Sequence, residues 1–181
     1  MPHNHTALLL IASFFAALGS SPAFAVDSRD SSTNTQPTVA FICAHGSIKS
    51  LMAAQRFNRL AEERGLPVRA ISRATNTDSV DDKVPEPVAK GMTQDGYYVD
   101  GIKPQVLTHD EASKALRVVH ISLEDPTNDP NAKEASGVAV ERWNGIPSAL
   151  RDYAMTKRMV NERVDAMINE YAAKQAGAAT K

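Results

Sequence analysis

The 181-residue chain has a single cysteine, Cys43, so no disulfide can form within it. It also lacks an excess of either charge: 20 basic residues face 21 acidic ones, for a formal net charge of −1. That balance gives no whole-protein argument for binding nucleic acid or an anionic membrane surface. No internal repeat is visible. Beyond the first 25 residues no apolar stretch is long enough for a transmembrane helix. What is present is a hydrophobic content of 43 %, enough for a real core. Setting aside the first 25 of 181 residues leaves 156, one domain of ordinary size.

Those first 25 residues have the form of a secretory signal. Ala7 to Leu18 is apolar except for Ser13, and Ala23-Phe24-Ala25 supplies small residues where a signal peptidase needs them. The segment before it carries His3 and His5 but no Lys or Arg. Cleavage is expected after Ala25, giving a mature chain that begins at Val26, is soluble, makes no stable membrane insertion and is periplasmic or secreted. Residues 26–38 are rich in Ser, Thr, Asp and Asn and read as a linker. The folded domain is expected over residues 39–175, with a flexible tail over 176–181.

Val39-Ala40-Phe41-Ile42-Cys43 is a short apolar run suited to a buried parallel strand. A polar loop with Gly46 follows, and then Ser50 to Arg64 carries helical periodicity, closed by Gly65 and Pro67. Further strands are expected over 68–72, 116–123 and 138–143. Short helices are expected from Pro87 to about Gln94 and from the capping-box sequence Thr108-His109-Asp110-Glu111. The longest helix is predicted from Ser148 to about Ala173, with Leu150, Tyr153, Val160, Val164, Met167, Ile168 and Tyr171 on its apolar stripe. The acidic stretch from Ala74 to Glu86, with Asp78, Asp81 and Asp82, reads as a solvated face. Alternating strands and helices point to an α/β fold, a three-layer α/β/α arrangement around a four-stranded parallel sheet. Ligands gather at the carboxyl ends of strands in such folds, and Cys43 ends the first strand.

From Cys43 to Ser50 a strand ends, a short loop turns and a helix starts. The backbone N–H groups of Ala44, His45, Gly46, Ser47, Ile48 and Lys49 can converge on one point, to which the helix start adds its positive pole. Such a nest binds a tetrahedral oxyanion and favours a thiolate at Cys43, making it a nucleophile. Lys49 can add a positive charge beside the anion, and Ser50 can donate its hydroxyl to the sulfur. His45 has two open readings: it pairs with Cys43 or the anion, or it points at solvent. Cys43 and His45 are two ligands without further partners and do not make a zinc site, so neither a metal nor any other cofactor is expected.

The run Val39 to Ala53, VAFICAHGSIKSLMA, resembles the signature of the low-molecular-weight protein tyrosine phosphatases and the related arsenate reductases. In those families a strand leads into Cys, five residues, Arg and Ser, and then a helix. The likeness is greatest to a bacterial subgroup whose loop reads Cys-x-His-Gly-Ser-x-Lys-Ser. Phe57 to Leu66 is similar to the family's first helix, and Trp143 to Pro147 resembles its final strand and acid loop. The resemblance covers about 130 residues, with only the loop highly specific. It implies Cys43 as the nucleophile forming a cysteinyl-phosphate, with the loop amides holding the equatorial oxygens. Two departures stand out. Lys49 replaces an arginine, exchanging a planar two-pronged donor for a mobile point charge. The acid loop, Trp143-Asn144-Gly145-Ile146-Pro147-Ser148, lacks the family's aspartate. Asp152, expected one turn into the last helix, is the nearest replacement, with Asp125 and Asp129 as outside candidates. A missing acid costs roughly a hundredfold or more in rate.

Three functions follow in order. The first is a phosphomonoester hydrolase, with phosphotyrosine among its candidate substrates. The second is a non-catalytic protein that holds a free oxyanion. The third is an arsenate reductase, which would need an external thiol because the chain has no further cysteine. Tyr97 and Tyr98 are candidates for the cleft border, although loop aromatics more often pack locally.

Overall fold

Runs such as VAFIC and RVVHI can be buried on both faces, and a parallel sheet is the arrangement that buries them. The computed structural model of the chain describes residues 36–75, 77–122 and 138–179. The expected signal sequence, most of the expected linker, Asp125, Asp129 and the last two residues lie outside the described residues. The described chain runs β1 (Thr38–Cys43), α1 (Lys49–Glu63), β2 (Arg69–Ala74), α2 (Glu86–Gln94), α3 (His109–Lys114), β3 (Arg117–Ile121), β4 (Val140–Trp143) and α4 (Tyr153–Ala179). All pairings are parallel, in the spatial order β2-β1-β3-β4. This is the expected α/β fold. None of the described helices is long and apolar enough to cross a membrane.

Period-two alternation along β1 divides the interior. Val39 and Phe41 face one way and pack with Val119, Ile121 and the apolar faces of α1, α2 and α4. Ala40 and Ile42 face the other way, against Val118, Leu107 and Ala112 of α3. Phe41 sits at the centre of the larger core, its ring centroid 5.9 Å from that of Phe57 and 5.5 Å from that of Trp143. Burying such a ring contributes on the order of 1.5–3 kcal/mol.

The ends of the helices follow local chemistry. Gly65, at φ 60°, closes α1: its N–H donates to Glu62 O and the Leu66 N–H donates to Ala61 O, a Schellman motif. Thr108 and Glu111 form the expected capping box at α3. Strand boundaries shift by a residue or two from expectation, with β1 starting at Thr38, β2 at Arg69, β3 spanning Arg117–Ile121 and β4 starting at Val140. The last helix departs further. It begins at Tyr153 rather than Ser148, because Asp152 Oδ1 accepts the Met155 N–H at 2.8 Å and so caps it. Leu150 therefore precedes the helix and is 56 % exposed, whereas Val160, Val164, Met167 and Ile168 are buried as expected.

Candidate functional site

In a parallel sheet every strand hands its chain to a loop at the same end. The connections leaving β1, β2 and β4 therefore meet beside Cys43. Cys43 pairs with Ala74 at the end of β1 and is 2 % exposed. Its Sγ lies 3.0 Å from Ser50 Oγ in the first turn of α1.

The four carbonyls from Cys43 to Gly46 are occupied from one side. Cys43 O accepts from Thr75 N at 3.1 Å and His45 O from Asp81 N at 3.3 Å. Ala44 O accepts from Ser79 Oγ at 2.7 Å, and Gly46 O from Ser72 Oγ at 2.8 Å. Every donor comes from β2 or the segment after it. In a trans peptide the C=O and the N–H point in opposite directions. Four outward carbonyls therefore turn the N–H groups of Ala44, His45, Gly46 and Ser47 to the other side. Among the described residues, no N–H from Ala44 to Leu51 donates to a protein group, and the series of bonds resumes at Met52 N to Ile48 O. Ile48 at the helix start offers no side-chain cap, and the first turn of α1 contains no acidic residue. Gly46, Ser47, Ile48, Ser50 and Leu51 are buried, and buried donors left without a partner cost about 1–3 kcal/mol each, so this concentration suits an anion.

Gly46 is required twice over. Its φ is 71°, and a Cβ there would stand 2.8 Å from Ala74 N. Ser72 Oγ, within 2.9 Å of Ser50 Oγ as well as bonded to Gly46 O, ties the loop to the Cys43–Ser50 pair. Lys49 Nζ donates to Ile146 O at 3.3 Å, which links α1 to the connection after β4. Burial holds the Lys49 ammonium below its ordinary pKa, and the attraction of Cys43 opposes that shift.

The acidic stretch after β2 differs from expectation. A solvated face would leave Asp81 free of the loop, but Asp81 docks on it. Its Oδ2 accepts from Ser47 Oγ, and its Oδ1 lies 3.4 Å from His45 Nδ1. His45 Nδ1 also bonds Ser79 O at 2.8 Å. The ring nitrogen thus turns to this segment and not to the sulfur. Ser72, Ser79 and Asp81 are the site residues that sequence reasoning passed over. Their signal was topological: a polar loop leaving the strand beside β1 must arrive beside Cys43.

The structure thus brings together Cys43, Ala44, His45, Gly46, Ser47, Ile48, Lys49 and Ser50. Asp152 stands apart in role: it is exposed and caps α4 rather than lying a turn inside it. Among the described residues no group of three His, Cys, Asp or Glu side chains is placed to hold a metal ion. Tyr97 packs under the Arg59 guanidinium, 3.8 Å from its ring centroid, whereas Tyr98 is 76 % exposed.

A parallel α/β domain that carries a cysteine into a ring of free amides at a helix start has the form of an oxyanion-handling phosphatase-type domain. The model of the low molecular weight phosphotyrosine protein phosphatases matches residues 38–137, and the chain belongs to that family. Solved structures agree in fold. YfkJ from Bacillus subtilis superposes with a TM-score of 0.65 at 14 % identity, over 77 % of this chain and 97 % of its own. The low molecular weight protein tyrosine phosphatase SP-PTP from Streptococcus pyogenes gives 0.61 at 16 % identity, over 74 % and 92 %. An arsenate reductase from Archaeoglobus fulgidus gives 0.52 at 22 % identity, over 72 % and 98 %. No curated protein sequence matches the chain.

Proposed function

We propose that this protein hydrolyses phosphomonoesters through Cys43, after export from the cytoplasm. The observation that carries the reading is the orientation of the loop: four successive carbonyls are held outward, so their amides face a common side next to Sγ. The sulfur attacks phosphorus and an S–P bond forms as the ester P–O bond breaks. The equatorial oxygens rest on the amides of residues 44–49, donors already aimed at the developing charge. Ser50 holds Sγ during attack and donates to the departing sulfur when water cleaves the cysteinyl-phosphate. Lys49 supplies charge without the two-pronged geometry of an arginine.

A second reading, an oxyanion-binding protein without turnover, is favoured by one feature: the Asn144–Pro147 connection bordering Lys49 offers no carboxylate. The arsenate reductase reading requires an external thiol and ranks third. The deciding experiment is hydrolysis of p-nitrophenyl phosphate by the wild type and Cys43→Ser, with acid trapping of the phospho-enzyme. Turnover and a trapped intermediate that both vanish in Cys43→Ser support the hydrolase. Phosphate binding without turnover by the wild type supports the binder.

A further inference from the structure

The four outward carbonyls of the loop do not share one holder. Cys43 O and Gly46 O, the first and the last, are held from β2 and its end, by Thr75 N–H and Ser72 Oγ. The two between them, Ala44 O and His45 O, are held by Ser79 Oγ at 2.7 Å and by Asp81 N–H at 3.3 Å. Those two peptides carry the N–H groups of His45 and Gly46. Ala44 and His45 are exposed, and Gly46 has a φ of 71°. Water can reach such peptides, and a glycine beside a peptide lets it rotate at little steric cost. Half a turn of either peptide would put its C=O where its N–H had been, because the two groups point in opposite directions. The negative end of the peptide dipole would then face the anion.

Asp81 adds its side chain to the same task. Its Oδ2 accepts from the hydroxyl of Ser47, a residue with no exposed surface, and its Oδ1 lies 3.4 Å from His45 Nδ1. His45 Nδ1 also donates to Ser79 O at 2.8 Å, since a carbonyl can only accept. Backbone and side chains of the middle of the loop are thus tied to Ser79 and Asp81. By charge alone a carboxylate is a poor neighbour for an anion, and the first turn of α1 has no acidic residue. Asp81 bonds the loop from the carbonyl side, where what it adds is order.

We propose that Ser79 and Asp81 are positioning residues of the anion site. They act through the peptides 44–45 and 45–46 and through Ser47, and they keep the amides of His45 and Gly46 aimed at the bound oxyanion. This role rests on the anion site of the phosphatase reading, and it operates with or without turnover. Neither residue touches the anion. Their effect is on how much of the folded protein holds the loop ready to bind.

The test is the phosphate concentration that half-protects Cys43 from iodoacetamide in the full chain, at fixed pH and ionic strength, with urea unfolding measured beside it. Asp81→Ala should raise that concentration about tenfold or more, as expected when a charge-assisted hydrogen bond is lost. Ser79→Ala should raise it roughly three- to tenfold. Asp81→Asn keeps an oxygen for the Ser47 hydroxyl and should stay within about threefold of the wild type. Adding Ser47→Ala to Asp81→Ala should raise it little further, because both remove the same bond. Variants that unfold at lower urea yet keep the wild-type half-protection would overturn the positioning role alone and leave Ser79 and Asp81 as parts of the scaffold. Tighter phosphate binding in both Asp81→Ala and Asp81→Asn would also overturn it, because Asp81 would then act on the anion by its charge. Labelling of the wild type that phosphate does not slow would overturn the anion site itself, and the phosphatase reading with it.

Discussion

The two ends of the same sheet treat their polar groups in opposite ways. At the amino end, Arg117 opens β3 and is paired with Glu141 at 2.8 Å and Glu170 at 2.9 Å, while Lys174 holds Glu170 at 2.7 Å. A cavity of about 390 Å³ lies there, lined by Val39, Leu116, Met167 and Tyr171 among others. At the carboxyl end, the N–H groups from Ala44 to Leu51 donate to no protein group among the described residues, beside a buried thiol. The amino end has matched its charges, and the carboxyl end has kept its donors unspent. Unspent donors mark the end that suits an anion.

This contrast can be broken by substitution. Gly46→Ala would place a Cβ 2.8 Å from Ala74 N at a φ of 71°. The left-handed backbone costs about 1–2 kcal/mol and the clash a further 1–3 kcal/mol or so. Urea unfolding should show a loss of that size, and isothermal titration should show weakened phosphate binding as the loop carbonyls lose their partners. Lys49→Ala comes next. Removing a charged hydrogen-bond donor costs about 1.5–3 kcal/mol, so phosphate or vanadate affinity should fall roughly ten- to a hundredfold. Unchanged affinity would mean that Lys49 serves Ile146 O alone. The smallest effect belongs to the amino end. Arg117→Gln removes a partly exposed ion-pair network, which solvent screens, so stability should change by no more than about 1 kcal/mol and less at high salt. Oxyanion affinity should not change.

The same contrast explains what was legible in the sequence. Val39 to Ser50 announced strand, turn and helix through residue types alone, because an apolar run, Gly46 and a helical stripe each have a local physical cause. Thr108 and Glu111 did likewise, since a capping box is written within four residues. The bond from Asp81 to Ser47 spans 34 positions, and nothing in the local composition separates it from its solvated neighbours. Only the topology, with β2 beside β1, brings it to the loop. Asp152 differs from expectation for a related reason. The apolar stripe in the sequence runs back to Leu150, whereas a side-chain cap at Asp152 sets the start of α4. His45 was visible as a candidate, but the direction of its ring depends on Ser79 and Asp81, both supplied by that distant segment.

The central claim is that Cys43 lies in a nest built for a tetrahedral anion, and alkylation kinetics test it most directly. The rate at which iodoacetamide labels Cys43 should be measured near neutral pH with and without phosphate, using chloride at equal ionic strength as the control. The single cysteine makes the readout unambiguous. The account predicts ready labelling that phosphate slows in a saturable manner and chloride does not, because the anion occupies the amides beside Sγ. Slow labelling, indifferent to phosphate, would contradict it and leave Cys43 as a buried thiol.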